Sequence, residues 1–108
     1  MVHGHTKADA RNLWLHRAAL RNLRERPELR QPCLDLVIRW LEKPEQAPSA
    51  RWLQQWREML ESWTDDRIAG IALDETAGQT LRQCSPLGPA LSARERWRLL
   101  AEIEVSLS

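Results

Sequence analysis

At 108 residues the chain is long enough for one domain, which at this size hides ~65% of the surface its unfolded form would expose and needs no disulfide or metal staple. Its 29% charged and 43% apolar content and net charge of +1 are those of an ordinary soluble globule, so bulk charge makes no case for nucleic acid. The longest apolar run, Ile68 to Leu73, falls far short of the roughly 20 residues a bilayer span needs, and the first nine residues hold no apolar leader segment, so the expectation is no membrane partner and a cytoplasmic protein.

The pattern is helical almost throughout, with no alternating β-branched run, and predicts an all-α fold: a compact single-domain bundle of five or six short helices. Residues 1–6 are expected to be flexible. The first helix should run from about Lys7 to Arg26 with Thr6 as a candidate N-cap, placing Leu13, His16, Ala19, Leu20 and Leu23 on one face. Pro27 ends it. A second helix covers about Glu28 to Lys43, and Pro32, lacking a backbone donor, should leave its first turn either separate or kinked. Residues 44–48, bracketed by Pro44 and Pro48, read as an internal linker, with Ser49 as the next N-cap.

The third helix, about Ala50 to Trp63, has the strongest periodicity: Trp52, Leu53, Trp56, Met59, Leu60 and Trp63 share one face, which should be core. Thr64, Asp65 and Asp66 cap a short helix to Leu73, and Asp74-Glu75 opens another to about Gln83, each weakened by a glycine, Gly70 or Gly78. Residues 84–91 form a Pro/Gly loop stiffened by Pro86 and Pro89. Its Leu87 and Leu91 either plug the open end of the core or leave one leucine at the rim beside Arg96 and Trp97 as a docking anchor. Ser92 and Glu95 form a capping box that starts the last helix, about Ala93 to Val105.

The charge is uneven. Residues 1–57 hold eleven basic and six acidic side chains, residues 58–108 five and nine. On the first helix Arg11, Arg17, Arg21 and Arg24 form a stripe with Trp14 beside it, so Trp14 is the expected exposed aromatic. The stripe is either a solvated face, with Arg21 paired to Glu25, or an interaction face for an acidic protein or phosphate.

Residue types and spacings that carry catalysis are missing. His3, His5 and His16 match no zinc spacing, no Gly-rich phosphate loop or nucleophile elbow occurs, and the acidic pairs sit where helices start. Cys33 and Cys84 read as small buried hydrophobes. No cofactor or metal is implied, and the chain is expected not to be an enzyme. The segment from Ile68 to Gln83 has the outline of a helix-turn-helix, with Thr76, Gln79, Thr80 and Arg82 as residue types that reach bases or phosphates. Yet residues 65–83 carry four acidic side chains against two arginines, the wrong sign for a phosphate surface.

Leu15-His16-Arg17, Arg39-Trp40, Trp52 with Trp56, Leu81-Arg82-Gln83 followed by Ser85-Pro86-Leu87, and Leu91-Ser92 ahead of Glu95-Arg96-Trp97 span most of the chain. In that order they resemble a group of short bacterial all-helical proteins, similar to the small antitoxin-like partner in toxin–antitoxin two-gene cassettes, often beside a nucleotidyltransferase-like protein. Cys84 and Pro89 in the loop and Pro32 in the second helix depart from that pattern. The resemblance carries over no individual binding residue; it implies a protein-binding role. The expectation is therefore a non-catalytic module that neutralises a toxin-like enzyme by occluding it. Its partner-binding anchors would be Trp14, Arg17, Arg21 and Arg24 on the first helix and Leu87, Arg96 and Trp97 around the loop. The alternatives are a helix-turn-helix regulator bound to operator DNA and a small phage- or mobile-element-borne inhibitor of a host defence protein. A homodimer stays open.

Overall fold

The computed structural model describes residues 7–107, so Thr6, His3 and His5 lie outside the described residues. Six α-helices follow in chain order: α1 (Lys7–Glu25), α2 (Arg30–Leu41), α3 (Ala50–Ser62), α4 (Asp65–Ala72), α5 (Gln79–Gln83) and α6 (Ala93–Leu107). Short 3-10 turns at Pro27–Leu29, Pro44–Ser49 and Gly88–Ala90 join them. No strand occurs among the described residues. The expected all-α single-domain bundle is what forms.

The core is built where the periodicity placed it. α2 and α3 pack most extensively, bringing Cys33 and Val37 against Leu53, Trp56 and Leu60. α1 lies across the assembly, touching α4, α5 and α6, and contributes Ala19, Leu20 and Leu23. Trp56 is 0% exposed, whereas Trp52 and Trp63 stay half-buried against the core edge, where Arg51 and Arg67 lie over their rings at 5.0 and 3.7 Å. The exposed guanidinium groups cover the outer ring faces, which attract positive charge.

Helix ends are settled by specific donors. Arg30 reaches from the first turn of α2 to the carbonyls of Leu60 (3.0 Å) and Trp63 (2.8 Å) and to the Asp65 carboxylate (2.8 Å), satisfying the orphan end of α3 while fixing the start of α4. Thr64 caps α4 by accepting the Arg67 N–H at 3.2 Å. Pro32 falls in the first turn of α2, where its missing N–H removes no helical bond, and the preceding turn is separate rather than kinked. The expected linker at 44–48 is a run of 3-10 turn, and Ser49 makes no side-chain cap bond.

α5 is shorter than its sequence predicts. The Asp74 carboxylate accepts the N–H groups of Thr76 (3.1 Å) and Ala77 (2.6 Å), so residues 75–78 form turns and the helix begins only at Gln79. Acidic residues favour a helix start, but an Asp side chain also competes for nearby backbone donors in a turn.

The Pro/Gly loop is core material. Leu87 is 3% exposed, Pro86 and Ala90 are buried beside it, and Leu91 packs on the cluster from its edge. The Gly88–Ala90 turn wedges between α1 and α2, with the Ala90 carbonyl taking a 2.9 Å bond from the Asn22 side-chain amide. Leu87 therefore is not the rim anchor proposed for docking, because its side chain closes the core.

The capping box forms as expected: Ser92 Oγ accepts the Glu95 N–H and Glu95 Oε1 accepts the Ser92 N–H, both at 3.1 Å. The same carboxylate takes a 3.1 Å bond from Asn22, which ties α6 to α1. Ser92→Ala should cost about 0.5–2 kcal/mol, read from urea unfolding. The Ser92 N–H, and after it the Asn22 amide, holds the Glu95 carboxyl below its ordinary value of 4.5. Its contribution is thus fully present above about pH 4.5 and lost as pH falls through the lower folded value. Glu95→Gln should flatten that acid-side loss of stability, measured as urea midpoints at neutral and acid pH.

Candidate functional site

The functional candidates follow from how α1 is rotated. With Leu15, Ala19 and Leu23 turned inward, the helical repeat puts Arg17, Arg21 and Arg24 on the opposite, exposed side. This arginine ridge separates two shallow depressions. On the α4 side it meets Leu20, Asp65, Ala69 and Leu73; on the α6 side, Trp14, Ala18 and Leu99. Trp14 is half-buried in the second depression rather than freely exposed, since α6 lies beside it.

The three arginines differ electrostatically. Arg24 is ion-paired to Asp66 across to α4. Arg17 and Arg21 have no carboxylate within ion-pair distance among the described residues, and the expected Arg21–Glu25 pair does not form. Arg11 uses its guanidinium on Glu104 of α6 at 2.6 Å, holding the far end of the antiparallel α1–α6 pair. The ridge thus presents two uncompensated positive charges above an apolar floor of Trp14, Ala18 and Leu99.

Arg96 and Trp97 separate. Arg96 lines a different cavity, on the opposite flank of α1. Trp97 is 76% exposed on the outside of α6, in line with exposed Ala101 and Val105 at four-residue spacing. The seven anchors expected from the sequence therefore fall into separate places: the ridge with Trp14, the outer face of α6 with Trp97, and the cavity that Arg96 lines together with Leu87, whose side chain is otherwise in the core.

Arg82 corrects the helix-turn-helix outline. It is 5% exposed, and its guanidinium donates to the carbonyls of Ala72 (2.7 Å) and Asp74 (2.8 Å). An arginine spent on the turn between α4 and α5 cannot reach a base, and a five-residue α5 is too short to read a groove.

Sequence reasoning passed over His16 as a site residue. It lies on the leucine face of α1 and is buried, with Nδ1 2.8 Å from the Asn12 carbonyl. Burial, and secondarily the charge of Arg82, holds its pKa below 6.5, while the Asn12 carbonyl opposes them. The only hint in the sequence was a titratable group inside an apolar stripe. Cys33 is fully buried with its thiol pushed up to about 11 by burial, which leaves it protonated and inert; neither cysteine is in a disulfide. No group of three His, Cys, Asp or Glu able to hold a metal occurs among the described residues, and no described helix is long and apolar enough to cross a membrane.

No known protein family matches the chain, and no curated protein or solved structure is significantly similar to it.

Proposed function

We propose that this chain is a non-catalytic protein-binding module that restrains a partner protein by covering its working surface, in the manner of the antitoxin-like component of a two-gene cassette. The observation that carries the reading is the ridge itself: Arg17 and Arg21 are exposed, carry no carboxylate partner among the described residues and stand over Trp14 and Leu99. Paired arginines beside an indole suit an acidic protein face, because the guanidinium fork binds carboxylates bidentately and Trp and Arg concentrate binding energy when desolvated. An interface of ~1,600 Å² would suffice and needs no chemistry from this chain. The partner is a toxin-like enzyme, nucleotidyltransferase-like in kind, and its covered surface is acidic.

The test is co-expression with the product of the adjacent open reading frame, a pull-down and a growth assay. A neighbour that is toxic alone, is silenced by this chain and co-purifies with it supports the proposal; one that neither binds nor becomes toxic sinks it. The doubly reversed variant Arg17→Glu with Arg21→Glu should lose the partner while its unfolding free energy stays within about 0.5 kcal/mol of the parent, as for exposed sites.

A further inference from the structure

α6 turns one side to the bundle, where Ile103 is fully buried, and leaves the opposite side uncovered. There stand the two exposed large hydrophobic side chains among the described residues, Trp97 at 76% and Val105 at 78%, with exposed Ala101 midway between them. Four-residue spacing makes them one apolar stripe ~12 Å long. Beside it lie Arg98 and Glu102, both exposed and neither in an ion pair among the described residues. We propose that this face is a self-association surface. Two copies pair antiparallel through α6 about a two-fold axis beside Ala101, with Trp97 of one copy on Val105 of the other and Arg98 of one against Glu102 of the other.

The charge order on α6 selects a second copy as the occupant. Apart from Glu95, which the capping box uses, the first half of the helix carries Arg94, Arg96 and Arg98 and the second half Glu102 and Glu104. That order opposes the helix dipole, which favours acidic groups at the N-terminus and basic groups at the C-terminus, so it does not serve the isolated helix. Nor do Arg98 and Glu102 serve each other, since a basic residue four ahead of an acidic one is the weaker arrangement and the two do not pair. An antiparallel copy sets the acidic half of one helix against the basic half of the other. The two-fold operation then puts Trp97 level with Val105 and Arg98 about 3 Å along the axis from Glu102, on the same side of the stripe. Each contact is made twice. A partner carrying one sign of charge would leave Arg98 or Glu102 facing its own kind. Ala101, with a single methyl group, lets the two axes approach to roughly 8 Å where they cross.

Only three turns of one helix take part, which places the contact below the ~1,200 Å² of weak, exchanging interfaces. Leu99, which borders the arginine ridge, is on the other side of α6 from Ala101, so pairing leaves the ridge open and does not depend on the partner proposed for it. Sedimentation equilibrium of the full chain alone reads the association, with circular dichroism of every variant to check its fold. The parent should dimerise with a Kd on the order of 10–100 µM. Trp97→Ala should weaken that at least about tenfold. Arg98→Glu or Glu102→Arg turns both symmetric ion pairs into repulsions and should also weaken self-association about tenfold. Mixing those two variants should restore the parent affinity as a heterodimer, and so should both reversals in one chain. Those results together support the proposal. A chain that stays monomeric to about ten times that Kd, as when a different protein covers this face, overturns it. So does a dimer indifferent to Trp97→Ala, or one that the mixed reversals fail to restore.

Discussion

Replacing Trp56 with alanine should lower the unfolding free energy by roughly 3–5 kcal/mol, a large part of the 5–15 kcal/mol that holds a domain of this size together. The side chain is fully buried at the centre of α3 and packs against residues from α2 and the loop region. Its indole N–H also donates to the Leu81 carbonyl at 2.8 Å, so it anchors α5, a helix of only five residues with little packing of its own. Truncation opens a cavity and leaves that carbonyl with only its 3.2 Å bond from the Cys84 N–H. Trp56→Phe separates the two effects: most of the apolar volume remains, the carbonyl loses the indole donor but keeps the Cys84 N–H, and the loss should shrink to about 1–3 kcal/mol. Chemical denaturation of the three proteins, followed by far-ultraviolet circular dichroism, measures both differences. Equal losses for Phe and Ala would place the whole effect in the hydrogen bond; a loss below 1 kcal/mol for Ala would mean that the stripe on α3 is not the core.

That stripe was legible because its cause is local. Six apolar side chains at helical spacing must be covered by something, and the capping box at Ser92 and Glu95 likewise uses groups three residues apart. What stayed illegible depends on distant partners. Asp74 looks like a helix opener in sequence, but whether its carboxylate serves a helix or a turn is decided by where α4 ends and Arg82 arrives. Leu87 reads first as a plug of the core, with an anchor at the rim as the alternative, until the loop is seen wedged between α1 and α2. The ridge was half legible: the turn of α1 puts Arg17, Arg21 and Arg24 on one side, yet the neutralisation of Arg24 by Asp66 joins residues 42 apart. His16 was in view on its apolar face, but the cavity it lines also needs Arg82 and Arg96, which arrive from α5 and α6.

Gly78→Ala tests the same long-range logic in its sharpest form, because local and tertiary reasoning predict opposite signs. The backbone at Gly78, φ −84° and ψ −8°, suits any residue, so reduced freedom of the unfolded chain alone would make alanine stabilising by about 0.4–1 kcal/mol. The surroundings forbid it. An added Cβ would stand 2.5 Å from the carbonyl oxygens of both Ile71 and Ala72 and 2.7 Å from Arg82 Nη1. The oxygens belong to backbone at the end of α4, and the nitrogen is bonded to one of them, so relief requires the α4–α5 junction to open. Opening withdraws Arg82 from the carbonyls of Ala72 and Asp74 and leaves a buried cation short of acceptors. Overpacking of roughly 1–3 kcal/mol joined to the lost charged hydrogen bonds should make the variant less stable by about 3 kcal/mol. Gly70→Ala supplies the contrast: that residue is exposed inside α4 with nothing within 4 Å of a new Cβ, and helix propensity should raise stability by about 0.5–1 kcal/mol. Thermal melts of the two variants should therefore move in opposite directions from the parent. If both rise, Gly78 is a propensity defect and the close approach that seats Arg82 beside the His16 cavity does not exist in solution.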